Sequence, residues 1–220
     1  MTKVDYRLNA IVDASLRAIA DLAVLARIAA DNGATIIQYR DKQGSTRDLV
    51  GQATAIRMAL AGTNVPLVIN DRVDVALAAG ADGVHLGRDD PDPAMARRLL
   101  GPDAIIGLTV KNEADTDAVL AAPVDYACIG GVFETLSKRN PDPPVGLEGF
   151  SRLRLRMLPA RPGMPVGAIA GIDVRRAGDV IRAGASGVAV ISSIFRSPDV
   201  AAATRVMRRA IDAALEETKQ

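Results

Sequence analysis

Short apolar runs alternate along this chain with longer segments whose apolar positions recur at helical spacing. Arg7–Val12, Ala34–Tyr39, Pro66–Ile69, Asp82–Leu86, Ala104–Leu108, Asp125–Ile129, Pro165–Ile169 and Gly187–Ile191 read as strands. They carry little internal polar alternation, as expected of parallel strands buried on both faces. Between them the pattern predicts helices over Ser15–Asp31, Thr46–Ala61, Asp71–Ala79, Pro93–Leu100, Glu113–Ala121, Glu148–Met157, Val174–Ala183 and Pro198–Thr218. In the first of these, Leu16, Ile19, Ala20, Ala23 and Val24 make the apolar stripe, and Gly33 ends it. Ser45 or Thr46 is placed to cap the second helix, and Asp92 the fourth.

Strictly alternating strands and helices with no linker-like break predict an α/β fold, a single-domain (β/α)8 TIM barrel over residues 1–220. An open doubly wound sheet is the competing arrangement. Two echoes favour repetition: AAGADGVHLG at 78–87 and RAGASGVAVI at 182–191 each run helix end, glycine turn, strand. Phe133–Leu147 stands out as a long polar loop rich in Pro and Gly, a length at which loops are functional or unstructured.

Composition narrows the partners. With 27 Lys+Arg against 26 Asp+Glu, the net charge of +1 offers no bulk attraction to nucleic acid or an anionic membrane. Recognition of anions must then be local, and small-molecule substrates are the expected partners; self-association is left open. Apolar residues make up 49% but aromatics only 3%, so the core is built of Ala, Val, Ile and Leu. The single Cys128 permits no intrachain disulfide and sits in an apolar run, as a small buried hydrophobe would. The first residues lack a signal-peptide pattern, and no run approaches the ~20 apolar residues of a membrane span, so a cytoplasmic protein is expected.

In a barrel, the residues at the C-terminal strand ends build the site. The second strand ends Gln38-Tyr39-Arg40-Asp41-Lys42, and alternation puts Gln38, Arg40 and Lys42 on one face. Two cations and an amide side by side call for an anion, for which the Arg fork matches phosphate oxygens. A solvated strand end with Asp41 as counter-charge is the plainer reading. The third strand ends Asn70-Asp71-Arg72 and the fourth leads to Asp89-Asp90. Asp71 and Asp90 suit Mg²⁺, which takes one or two protein carboxylates and fills its shell with water and phosphate. Helix capping competes for Asn70, Asp71, Asp90 and Asp92. The only histidine, His85, faces opposite Val84 and Leu86 and reads as a satisfied lining residue ahead of a base.

Further round the rim, Thr109 and Lys111 end the fifth strand, and Thr135, Ser137 and Lys138 form a hydroxyl-and-ammonium set in the long loop. Gly171, with Ile191, Ser192 and Ser193, ends the last two strands, where barrels often bind phosphate. The loop set also reads as plain solvated loop, Gly171 as an ordinary strand-to-helix turn, and Ser192 and Ser193 as helix caps.

QYRDK, VINDRVDVALAAGADGVHLGRDD, ETLSK before a Pro-rich stretch and Gly146, and AGASGVAVISSI occur in this order from about Ala34 to Ile194. Together they resemble the thiamine-phosphate synthase family. The resemblance implies a (β/α)8 barrel and a Mg²⁺-dependent transferase. Its reaction joins 4-amino-5-hydroxymethyl-2-methylpyrimidine diphosphate to hydroxyethylthiazole phosphate and releases diphosphate. It implies that Gln38, Arg40, Lys42 and Asn70 hold the pyrimidine diphosphate and that Asp71 and Asp90 carry Mg²⁺. Thr109 stands beside the pyrimidine, where the family usually has Ser. Thr135 and Ser137 contact the thiazole phosphate, cradled by Gly171, Ile191 and Ser192, while Lys138 reaches the diphosphate. Arg40, Lys42 and Lys138 would stabilise the departing charge. The chain departs from the family pattern at Lys111, often His; at Ala170, usually Gly; at Ser137, usually Thr; and at Val12-Asp13, usually Thr-Asp. A thiazole tautomerase-like isomerase and a non-catalytic thiazole-phosphate-binding barrel are the rival readings.

Overall fold

The computed structural model describes residues 4–18, 21–135 and 143–219, the side chain of residue 17 apart. Strands β1 (Leu8–Asp13), β2 (Ile36–Arg40), β3 (Leu67–Asn70), β4 (Gly83–Leu86), β5 (Ile105–Val110), β6 (Tyr126–Ile129), β7 (Val166–Ile169) and β8 (Gly187–Val190) form a closed barrel in sequence order. All pairs are parallel, and β1 closes on β8 with Leu8 opposite Val188. The open doubly wound sheet is therefore set aside.

The outer layer is α1 (Leu22–Asp31), α2 (Thr46–Ala59), α3 (Val73–Ala79), α4 (Pro93–Leu100), α5 (Glu113–Ala121), α6 (Gly146–Met157), α7 (Val174–Arg182), the short α8 (Ser192–Phe195) and α9 (Val200–Glu217). One predicted helix divides and one holds. The first becomes a 3₁₀ turn, Ala14–Ala18, followed by α1, whose first N–H groups are capped by Asp21. The last is α9, capped by Asp199, and the short α8 before it lies outside every predicted helix.

Two apolar layers hold the barrel. One, between strands and helices, includes Val12, Ile37, Ile69, Phe150 and Ile211. The other fills the interior with Tyr6, Ile11, Ile36, Val68, Ile105, Tyr126 and Cys128. The chain has few aromatics, yet Tyr6 and Tyr126 meet at the barrel axis with ring centroids 4.7 Å apart. Inward-facing glycines make room for them. A Cβ on Gly107 would lie 2.0 Å from the Tyr126 ring, and one on Gly167 would lie 1.8 Å from the Tyr6 ring. The two rings thus close the barrel from below and leave its C-terminal mouth open.

Candidate active site

A cavity of about 480 Å³ opens at that mouth. Its floor includes Tyr6, Ile11 and Cys128. Gln38, Arg40 and Asn70 line one side of it, Thr109 and Lys111 the next, and Gly171, Ile191 and Ser192 the other, with Thr135 at the lip. Residues from well-separated stretches of chain therefore share one space.

Alternation explains the cationic side. Ile36, Gln38 and Arg40 point inward from β2 while Ile37 and Tyr39 pack outward. Arg40 forms an ion pair with Asp13, its register partner on β1. Burial pushes the Asp13 carboxyl up, but hydrogen bonds from Ser15 and Arg40 outweigh it and hold the group below its ordinary range. Lys42 pairs with Asp71. Asp41 ties the loop instead, accepting the N–H groups of Gln43 at 2.9 Å and Gly44 at 3.0 Å.

The acidic pair escapes helix capping. The N-cap of α3 is Arg72, which makes no side-chain cap bond, and the cap of α4 is Asp92, accepting from Ala94 and Met95. Asp71 sits with φ +65°, a left-handed conformation that Asp tolerates better than most residues. Its N–H donates to the His85 carbonyl at 2.8 Å, fastening the β3 end to β4. Asp90 accepts the Gly87 N–H at 2.6 Å. Burial, then the neighbouring Asp71 carboxylate, pushes the Asp90 carboxyl above its ordinary value.

Two acidic oxygens drawn together at the end of a cationic strand are a donor set for a hard cation. Among the described residues no group of three or more His, Cys, Asp or Glu side chains gathers as a metal site. Two carboxylates suit Mg²⁺, which fills the rest of its shell with water and phosphate, whereas a structural zinc site needs more protein ligands. Asn70 points the same way: its buried side-chain N–H₂ has no partner among the described residues.

On the far side, Gly171 has φ +63°, and a Cβ there would lie 2.2 Å from the Glu134 carbonyl oxygen. This glycine lets the loop after β6 close over the end of β7. Ala170, before it, has φ +94°. Ser193 donates to the Ile172 carbonyl at 2.5 Å, so its hydroxyl is spent on the loop, while Ser192 lines the cavity. Ser137 and Lys138 lie outside the described residues.

Several residues at the site carry little signal in the sequence. Asp13, which pairs with Arg40 without lining the cavity, ends a strand with no cluster around it and is marked only by the resemblance. Tyr6 precedes the first strand. Arg176 lies on α7, donates to the Gly171 carbonyl at 2.7 Å and stacks 4.7 Å over the Phe133 ring. Arg196 reaches the cavity from just past α8. Nothing in the local pattern separates these arginines from surface ones. His85 meets the expectation of a satisfied lining residue, bonded at Nδ1 to the Tyr126 hydroxyl (3.0 Å) and at Nε2 to Thr109 Oγ1 (2.9 Å).

Comparison with known proteins agrees with this geometry. Residues 8–194 match the family model described as thiamine monophosphate synthase. A thiamine-phosphate synthase of Agrobacterium fabrum is 66% identical over 216 residues, 98% of each chain. One from Chloroflexus aurantiacus is 39% identical over 97% of this chain and 96% of its own. A solved thiamine phosphate pyrophosphorylase from Pyrococcus furiosus superposes with a TM-score of 0.83 at 31% identity, covering 97% of this chain and 98% of that one. The shared barrel, the run of matched residues and near-complete coverage lead to one conclusion: the chain belongs to the thiamine monophosphate synthase family.

Proposed function

We propose that the chain, working as one barrel domain over residues 1–220, joins a hydroxymethylpyrimidine diphosphate to a hydroxyethylthiazole phosphate. The products are thiamine phosphate and diphosphate. The observation that carries this reading is the cavity itself, lined by Gln38, Arg40 and Asn70 at one side and by a glycine–serine rim at the other, with the Lys42–Asp71–Asp90 cluster next along the chain from Asn70 and outside the lining. Two substrates, each carrying an anion at one end, suit such a pair of sides.

In this reading Gln38, Arg40, Lys42 and Asn70 hold the pyrimidine diphosphate, and Asp71 and Asp90 would hold Mg²⁺. Bound there, Mg²⁺ supplies neutralisation of diphosphate charge. The pyrimidine amino group pushes electron density into the ring, and the methylene C–O bond breaks with its electron pair leaving on diphosphate. Arg40, Lys42 and Lys138 stabilise that charge as it develops. The thiazole nitrogen then gives its lone pair to the methylene carbon and forms the C–N bond. No proton need move, which suits a site whose only histidine is engaged on both ring nitrogens. Thr135, Ser137, Gly171, Ile191 and Ser192 hold the thiazole phosphate, so the nucleophile arrives oriented.

Among the described residues no helix is long and apolar enough to cross a membrane. A cytoplasmic location accords with these phosphorylated small-molecule substrates. The test is diphosphate release by purified protein with Mg²⁺ and both substrates. Release that stops with chelator and returns with Mg²⁺ is expected. Absence of release, with a known synthase active in parallel, would reject the reading in favour of a binding-only barrel.

A further inference from the structure

The hydroxyl of Tyr126 is wholly buried, and its one hydrogen-bond partner among the described residues is His85 Nδ1, at 3.0 Å. A buried hydroxyl that accepted from Nδ1 would leave its own proton without an acceptor, a costly arrangement in a packed interior. The Tyr126 proton therefore goes to Nδ1. A neutral imidazole carries one ring proton, so that proton sits on Nε2. Nε2–H then donates to Thr109 Oγ1, 2.9 Å away. Thr109 Oγ1 has no second partner among the described residues, and the residue lines the cavity. With its oxygen already accepting, its hydroxyl proton is left to point at whatever occupies the cavity.

Packing locks each member of this chain of bonds. The Tyr126 ring lies against Gly107, where a Cβ would come within 2.0 Å, and stacks with His85 at a centroid distance of 5.5 Å and an interplanar angle of 15°. Gly107 is also the register partner of both Tyr126 and His85. The Thr109 methyl is turned toward Gly130, with 3.5 Å to the position a Cβ would take there, which leaves the hydroxyl on the histidine side.

We propose that Tyr126 and His85 are positioning residues that set Thr109 as a hydrogen-bond donor to the cavity, selecting a heteroaromatic substrate ring that presents a bare ring nitrogen there. The inference rests on the proposed function only for the identity of the ring. The direction of the bonds follows from the buried side chains alone.

The chain has one histidine, so an ¹⁵N–¹H correlation spectrum of the imidazole, recorded on full-length protein without a histidine tag, reads His85 without ambiguity. The expected result is a proton on Nε2 and a bare Nδ1. A proton on Nδ1 overturns the proposal, and this wild-type measurement needs neither turnover nor a variant that folds. In Tyr126→Phe the Nε2–H preference should weaken, with kcat/KM down about tenfold; an unchanged tautomer would overturn the role of Tyr126. Thr109→Ser should keep most of the activity and Thr109→Val should lose about a hundredfold or more, chiefly with a pyrimidine whose ring nitrogen is intact. With an analogue carrying C–H in place of that nitrogen, Thr109→Val and wild type should converge; a persisting hundredfold gap would reject the donor role. If diphosphate release failed in every form while the tautomer stood as expected, the reaction would be wrong and the relay right.

Discussion

Asp13 and Arg40 face each other as register partners at the ends of β1 and β2, and their side chains form an ion pair inside the rim. The Arg40 fork is aimed by a carboxylate from the adjacent strand before any substrate arrives. Asp13 is held in turn by the Ser15 N–H at 2.9 Å, so the support reaches into the turn beyond β1. Such outer partners typically carry about tenfold to a hundredfold in affinity or activity. Asp13→Asn should therefore lower kcat/KM for the diphosphate substrate by about that factor, with the thiazole phosphate KM little changed. Steady-state diphosphate release checks this, and equal loss on both substrates would argue against an aiming role.

The same carboxylate predicts a pH effect on stability. Its native pKa lies below the ordinary value because the Ser15 and Arg40 bonds outweigh burial. A group with a depressed native pKa stabilises the fold above its unfolded value, about 3.9, and loses that contribution as pH falls through the native value. Denaturant titrations of wild type and Asp13→Asn should differ near neutral pH and converge in acid below that range.

Asp71 adopts φ +65°, so the choice of variant matters. Asn tolerates that conformation and Ala does not. Asp71→Asn should fold as wild type does, yet need far more Mg²⁺ for any activity and lose most turnover. Asp71→Ala should abolish turnover and also cost about 1 kcal/mol of stability through backbone strain. Arg40→Ala should abolish turnover with the barrel intact by circular dichroism. Near wild-type activity in any of the three would remove that residue from the site.

Ala170 holds φ +94°, where a Cβ is strained and glycine is not. Strain of this kind costs about 1–3 kcal/mol, against which glycine loses about 0.5–1 kcal/mol of chain entropy. Ala170→Gly should raise Tm by roughly 2–4 °C, the shift about 1 kcal/mol gives in a domain of this size. A scanning calorimeter reads it directly.

The barrel floor makes the opposite prediction. Gly107→Ala would drive a methyl into the Tyr126 ring and should destabilise by about 3 kcal/mol or more. Gly51→Ala, in the exposed body of α2 with nothing within 4 Å, should stabilise by about 0.5–1 kcal/mol. The pair separates a packing effect from the general preference for Ala in regular structure, and chemical denaturation measures both.

Apolar periodicity and strand-end chemistry already specified much of this protein. The alternation of short apolar runs with helical stripes required parallel strands covered by helices, and β2 ending in Gln38, Arg40 and Lys42 required an anion near its end. Asp92 before Pro93 was legible as a cap because both signals are local. What no local pattern settles is which of several equivalent groups turns which way. Asp71 and Asp90 carry the same side chain as Asp92, but only closure of the barrel leaves them uncapped and side by side. Asp13 becomes the partner of Arg40 because β1 and β2 lie in register, 27 residues apart in sequence. Tyr6 and Tyr126 become a floor because glycines on other strands vacate the axis for them. The sequence by itself determined the kinds of element and the chemistry they carry, since those depend on neighbours along the chain. The tertiary structure decided the pairings, since those depend on neighbours across it.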